Sequence, residues 1–212
     1  KRLRRAWSKS FVPVDYLDQA IRSALEQDGV RVDVTIIDDG STDGSVDIAR
    51  RWAERDDRVR YLSFSRNFGK EAAMYAGFEH CQGDYICLMD ADLQDDIEAV
   101  DDFVAAYHAG ADVVYGVRSS RKKDTFFKRF TAEGFYHVMN ALGADIVFNH
   151  ADYRLMSRRA LEGLAEYKEV NLFLRGIVPL IGFKSDYVYY DRAERFAGES
   201  KYPLKKMISR SE

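Results

Sequence analysis

The sequence is short of cysteine, of histidine and of long apolar runs, and each shortage removes a class of protein. Its two cysteines, Cys81 and Cys87, fall at a predicted helix end and in a predicted buried strand. They read as small apolar residues of a reducing compartment, not as a disulfide or a metal site. The histidines His80, His108, His137 and His150 show no ligand spacing and read as structural or surface residues. No apolar run approaches the ~18–20 residues of a membrane span. No signal peptide is visible, so the chain as written reads as soluble. A formal charge of −3 gives no general pull toward nucleic acid. The basic residues nevertheless cluster at 1–5, 118–123 and 201–206, which suits either solvated surface or anionic ligands and lipid headgroups. There is no internal repeat and no low-complexity segment, and 212 residues suit one α/β domain with a substantial core.

What the chain does have is apolar strands alternating with amphipathic helices at ~20–30-residue intervals, the pattern of a mostly parallel sheet covered on both faces. Residues 1–9 are basic and poorly patterned and read as a flexible or surface arm. Phe11-Val12-Pro13-Val14 reads as a short strand, and a helix with Leu17, Ala20, Ile21, Ala24 and Leu25 on one face follows at once. Such connections usually take ~2–6 residues, so the junction is abrupt. Further strands are expected at 32–37, 59–64 and 112–117. The helices between them should turn inward Val46, Ala49, Trp52 and Ala53, then Ala73, Ala76 and Gly77, then Ile97, Val100, Val104 and Tyr107. Asp43 or Ser45 should cap the first of these. Beyond Val117 the rhythm changes to a charged loop at 118–124, an aromatic-rich helix at 126–142 and a strand or turn at 149–157. An apolar helix at 172–181 interrupted by Pro179 and a tyrosine-alternating strand at 184–191 complete the pattern.

The chemistry concentrates at residues 85–96, where Ile86, Cys87, Leu88 and Met89 run straight into Asp90 and Asp92. A continuous apolar run fits a strand buried on both faces, and ligands bind just beyond the carboxyl ends of such strands. Two carboxylates one residue apart repel unless a cation neutralises them. An oxygen-only set with room for phosphate oxygens suits Mg2+ or Mn2+ better than zinc. Taken by itself, the stretch reads equally well as a solvated acidic turn capping a helix near Asp96. Asp38 with Asp39, and Asp152, also fall at predicted strand ends. Acidic ends recurring in one sheet would line a nucleotide and its metal along one edge. A phosphatase of the haloacid dehalogenase type would carry its Asp-x-Asp after the first strand, with Thr or Val to follow. Here the pair follows the fourth strand, with Gln94 in that place. A response-regulator receiver needs a lone phosphorylatable aspartate and a downstream lysine at a strand end, which Asp90-x-Asp92 does not match.

Five motifs occur in order: Asp38-Asp39-Gly40-Ser41, Arg66-Asn67-Phe68-Gly69-Lys70, Asp90-Ala91-Asp92-Leu93-Gln94-Asp95, Asp152-Tyr153-Arg154-Leu155-Met156-Ser157, and Arg195-Phe196-Ala197-Gly198-Glu199-Ser200-Lys201-Tyr202. Together they resemble the family 2 glycosyltransferases that load a sugar onto a polyprenyl phosphate, the bactoprenol glucosyltransferase and dolichyl-phosphate mannose synthase group. The resemblance covers residues 10–206. It implies a GT-A (Rossmann-like) α/β catalytic domain at 10–191 with a mostly parallel central sheet and helices on both faces. A basic arm at 1–9 would precede it, and an acceptor loop and juxtamembrane segment at 192–212 would follow, with membrane helices downstream.

The same resemblance implies transfer, with inversion, of a hexose or N-acetylhexosamine from a UDP-sugar to undecaprenyl phosphate, at the cytoplasmic face of the cell membrane. Asp38 and Asp39 would contact the nucleotide's base or ribose, and Lys70 and Arg118 would join the nucleotide-sugar site. Asp90 and Asp92 would hold Mg2+ or Mn2+ on the diphosphate, with Gln94 in support. Arg195, Ser200 and Lys201 would meet the acceptor phosphate. Asp152 matches the position of the catalytic carboxylate. The acceptor phosphate is already anionic, so positioning of the acceptor or of Arg154 is the other role open to Asp152. The implied partners are the donor, the polyprenyl phosphate and a membrane surface, without nucleic acid; a homo-oligomer is compatible. The alternatives are transfer to a soluble glycan or protein, and a silent sugar-nucleotide-binding module. One departure stands out. The family's first strand ends in Pro-Val-Tyr-Asn-Glu, whereas Pro13-Val14 is followed directly by Asp15-Tyr16-Leu17, which bears on nucleotide binding.

Overall fold

The apolar runs at 32–37 and 85–89, each followed by acid, become central strands, and helices pack on the sheet between them. The computed structural model describes residues 2–8, 14–27, 30–119, 150–167 and 173–192. In chain order the elements are β1 (Arg2–Ser8), α1 (Val14–Leu25), β2 (Arg31–Asp38), α2 (Ser45–Arg55), β3 (Val59–Ser63), α3 (Lys70–His80) and β4 (Tyr85–Asp90). Then follow α4 (Ala99–His108), β5 (Val113–Arg118), β6 (His150–Ser157), α5 (Arg158–Ala165), α6 (Leu174–Leu180) and β7 (Ser185–Tyr190). The strands form one sheet in the order β3-β2-β1-β4-β6-β5-β7. β1 to β4 run parallel, as do β5 and β7, whereas β6 is antiparallel to both of its neighbours, β4 and β5. The expected mostly parallel sheet is present, with a single reversed strand inside it.

β4 shows why its run has no polar alternation. Tyr85, Cys87 and Met89 pack with Leu17 and Ile21 of α1, Ile48 of α2 and Phe103 of α4. Ile86 and Leu88, pointing the other way, pack with Met74 and Phe78 of α3, Leu161 and Leu164 of α5, and Leu174 and Val178 of α6. Successive strand residues face opposite sides, so a central strand under helices on both faces must be apolar throughout. The α1 stripe is as expected, with Leu17, Ala20, Ile21 and Ala24 at 0–1% exposure. Elsewhere the periodicity slips by a residue: α2 buries Ile48 beside Ala49, and α4 buries Ala99, Val100 and Phe103. Asp43 is drawn on by Ser45, whose N–H and hydroxyl both donate to it, while Gly44 at φ 79 is the residue that enters α2.

The first residues depart from the sequence reading. Residues 2–8 are not an arm but β1, inserted between β2 and β4 with Leu3 opposite Val32 and Tyr85, and Trp7 opposite Ile36 and Met89. The two flanking strands present backbone donors and acceptors that must be paired, and that demand outweighs the basic composition of the segment. The strand expected at 11–14 lies outside the described residues up to its last position, Val14, which begins α1. The helix expected at 126–142 and most of the loop at 118–124 also lie outside them.

Candidate active site

β2 delivers two carboxylates to the sheet edge and the protein fixes both. Asp38, 2% exposed, accepts the Ser41 N–H at 3.2 Å and the Ser63 hydroxyl at 3.0 Å. Asp39 accepts the N–H groups of Phe68 at 2.7 Å and Gly69 at 2.9 Å, which fastens the start of α3 to the end of β2. Gly40 lies at φ 71, and a Cβ there would stand 2.5 Å from the Arg66 carbonyl carbon. Only glycine allows that backbone approach. The motifs around Asp38 and Lys70 are therefore two halves of one corner.

At the end of β4 the chain turns through residues 91–96. Leu93 adopts φ 58, a left-handed conformation rare for a branched side chain. Asp92 accepts the Gln94 N–H at 3.1 Å, and Arg192 donates to Gln94 Oε1. Asp95, 9% exposed, accepts the Tyr190 hydroxyl at 2.7 Å and the Asp90 N–H at 3.4 Å. Burial, and then the neighbouring Asp90 charge, push the Asp95 carboxyl up to about 6. Arg118, at the end of β5, interacts with both Asp95 and Tyr190.

Asp152 is where the cations converge. It lies near the start of β6, not at a strand end as the sequence reading had it. Because β6 is antiparallel, the register pairing Leu88 with Arg154 carries Asp152 toward the edge where β4 ends. Lys70 Nζ stands 2.8 Å from Asp90 Oδ2 and 2.8 Å from Asp152 Oδ2. Arg175 of α6 donates to both Asp152 oxygens, at 2.8 and 3.1 Å. Arg154, fully buried, donates to the Asp152 carbonyl at 3.1 Å and has a terminal nitrogen 3.5 Å from the carboxylate. Burial alone would raise the Asp152 pKa, but Arg175, Lys70 and Arg154 overcome it and hold the carboxyl far below the usual range. Lys70 shows the converse: burial would lower its pKa, yet Asp90 and Asp152 raise it. For Asp90, burial outweighs the Lys70 charge and the carboxyl is raised. Arg175 was not singled out from the sequence, although a lone charge in the apolar helix Leu-Arg-Gly-Ile-Val-Pro-Leu was a signal.

Among the described residues, no group of three or more His, Cys, Asp or Glu converges into an all-protein metal cage. Asp90 and Asp92 do fit a hard divalent cation that completes its shell with phosphate oxygens and water. Burial is the main cause of the raised Asp90 and Asp95 carboxyls, with the charges of neighbouring carboxylates adding to it. Arg195, Ser200 and Lys201 lie outside the described residues. A cavity of about 510 Å³ lined by Asp84, Tyr107, His108, Asp112 and Arg159 sits at the opposite edge, where β4 and β5 begin, remote from the acids.

A helix-covered, mostly parallel sheet with an acid pair after its fourth strand and one reversed strand beside it defines the GT-A fold. The family model described as Glycosyl transferase family 2 matches residues 12–164, and the chain belongs to that family. It is 49% identical over 197 residues to the uncharacterized glycosyltransferase YkoT of Bacillus subtilis (strain 168), covering 91% of this chain and 58% of that protein. It is 42% identical over 192 residues to the prophage bactoprenol glucosyl transferase homolog of Escherichia coli (strain K12), covering 90% of this chain and 62% of that one. The chain thus spans about three fifths of the length of these relatives. Glucosyl-3-phosphoglycerate synthase from Mycobacterium tuberculosis, in complex with Mn2+, uridine diphosphate and phosphoglyceric acid, superposes with a TM-score of 0.65 at 16% identity, covering 98% of this chain and 73% of that one. Mannosyltransferase PcManGT from Pyrobaculum calidifontis, in complex with GDP-Man and Mn2+, gives 0.63 at 17%, covering 94% and 58%. At such identities the likeness shows the fold.

Proposed function

We propose that this domain transfers a hexose or N-acetylhexosamine from a UDP-sugar to a polyprenyl phosphate, with inversion at the anomeric carbon. The observation that carries the reading is the convergence of Asp90, Lys70, Asp152 and Arg175 at one sheet edge, with Asp92 two residues beyond Asp90. Relatives named bactoprenol glucosyl transferase support the acceptor class. The UDP- and Mn2+-bound synthase supports a nucleotide donor and a divalent cation. Asp90 and Asp92, with Gln94 in support, would hold that cation, whose charge stabilises the departing diphosphate. Asp38 and Asp39 would contact the nucleoside. Arg118 would meet donor phosphate, and Arg195, Ser200 and Lys201 the acceptor phosphate.

Lys70 supplies a fixed positive charge where donor and acceptor phosphates meet, and such preorganised charge lowers the barrier as negative charge develops. Asp152 is held ionised by three cations, so its affinity for a proton is low. The acceptor phosphate needs no deprotonation near neutral pH, and Asp152 serves the reaction by holding Lys70 and Arg175 in place. A membrane setting follows from the acceptor, although among the described residues no helix is long and apolar enough to cross a bilayer. The test is transfer of labelled sugar from a panel of UDP- and GDP-sugars to polyprenyl phosphate and to soluble glycans. Metal-dependent labelling of the lipid is expected; labelling of soluble glycans alone would overturn the acceptor assignment.

A further inference from the structure

We propose that Tyr153 and Tyr190 are positioning residues whose hydroxyls set the 91–96 loop for its cation, and so fasten that loop to β6 and β7. This rests on the reading of Asp90 and Asp92 as cation ligands. β6 alternates across the sheet. Asp152 meets Lys70 and Arg175 and Arg154 lies beside it, while Tyr153 between them joins the core on the α1 and α4 face. Tyr153 is 1% exposed and Tyr190 3%, with their rings edge to face at 5.2 Å and Phe103 packed on Tyr153 at 4.6 Å. Gly116 of β5 makes the space: a Cβ there would stand 3.0 Å from the Tyr190 ring and 3.2 Å from Phe103.

From this one aromatic group the two hydroxyls reach consecutive loop residues. Tyr190 donates to Asp95 Oδ1 at 2.7 Å and Tyr153 to the Asp96 carbonyl at 2.8 Å. The other Asp95 oxygen takes the N–H of Asp90, so the clamp acts directly on the first residue of the acid pair. Between Asp90 and Asp95 sits Leu93 at φ 58, a conformation that persists where surroundings impose it. Arg192, two residues past Tyr190, holds Gln94. β6 carries Asp152, and β7 leads toward the Arg195–Tyr202 motif.

Packing alone would account for the rings but not for the hydroxyls, and phenylalanine separates the two. Mn2+ binding to the free protein is measured by electron paramagnetic resonance for the parent, Tyr153→Phe, Tyr190→Phe and Asp92→Asn. Each phenylalanine variant should weaken Mn2+ about tenfold, as loss of an outer hydrogen bond does at metal sites. Donor KM should rise and fall back with added Mn2+, while acceptor KM stays at the parent value. Amides of residues 91–96 should exchange faster with deuterium while those of β1 and β2 do not. Parent-like Mn2+ affinity in both phenylalanine variants, with binding lost in Asp92→Asn, overturns the clamp alone. Retention of Mn2+ by Asp92→Asn overturns the cation assignment and the clamp with it.

Discussion

Lys70→Met keeps the length of the side chain and deletes the ammonium that lies 2.8 Å from both Asp90 and Asp152. Asp152 retains Arg175 and Arg154, so its charge stays neutralised. Asp90 loses the cation that opposes its burial. Removing one partner of a fully buried pair costs ~3–5 kcal/mol. Two features reduce that figure. The Lys70 and Asp90 side chains are 33% and 28% exposed, and Asp90 can take up a proton, as its raised pKa already favours. A loss of ~1–2 kcal/mol in metal-free buffer is expected, which lowers the midpoint by ~3–6 °C for a domain of this size. Mn2+ then separates the two proteins. In the parent it must displace or share space with the ammonium, whereas in the variant it meets an uncompensated acid pair. Binding to the folded state stabilises by mass action, so Mn2+ should raise the midpoint of Lys70→Met more than that of the parent. UDP-sugar binding should nevertheless weaken, because the ammonium that meets phosphate is gone. Thermal unfolding by circular dichroism with and without Mn2+, and titration calorimetry with UDP, read both effects. Equal Mn2+ shifts in the two proteins, with an unchanged metal-free midpoint, would refute the reasoning.

Asp92→Asn should leave the fold intact and cut transfer by on the order of 10²-fold or more, and chelation of the parent should match it; full activity in excess chelator removes the cation from the reaction. The Asp95 carboxyl, at about 6, lies above its unfolded value of ~3.9, so the folded state holds that proton more tightly. Its contribution is full below pH ~4 and falls by ~3 kcal/mol as pH rises to ~6, so Asp95→Asn should flatten that part of a urea-midpoint profile. Asp152, held far below the usual range, works in the opposite sense: its contribution is present above pH ~4 and is lost on further acidification. Lys201→Ala should weaken transfer to polyprenyl phosphate more than UDP binding, and equal losses would move this segment to the donor side. The protein should bind anionic liposomes, each basic residue near the surface contributing ~1 kcal/mol. Salt and a Lys205→Glu, Lys206→Glu double variant should release it, and salt-independent absence of binding would count against a membrane role for the basic end.

The strands around the core were legible because their chemistry is local. Residues 85–89 carry an unbroken apolar run, as burial on both faces favours, and β2 is legible from Val32, Val34, Ile36 and Ile37 although Asp33 and Thr35 are buried among them. β1 was not legible for the complementary reason. Its sequence, Arg-Leu-Arg-Arg-Ala-Trp-Ser, lacks that pattern, and its place is set by the two partners that flank it. Phe103 was passed over in favour of Ile97 and Val104, since a helix stripe read from periodicity alone is uncertain by about one residue in rotation.

The site divides along the same line between local and distant causes. Asp38, Asp39, Asp90 and Asp92 announce themselves by following apolar runs, and a strand that ends in acid at a parallel-sheet edge is a local signal. Asp152 follows no such run; it reaches the edge because β6 is reversed, and a strand's direction is a property of its neighbours. The residues that set its behaviour come from farther still. Lys70 arrives through the Asp39 corner, Arg175 through α6, and Tyr190 reaches the acid loop across the β7 end of the sheet. Sequence motifs therefore identify which carboxylates gather, while their protonation is decided by burial and by partners both within the motifs, Lys70 and Arg154, and outside them, Arg175 and Tyr190. Asp152 read alone is a candidate base. Asp152 between Lys70 and Arg175 is an anion that stays ionised, and in the proposed reaction its part is to hold those cations in place.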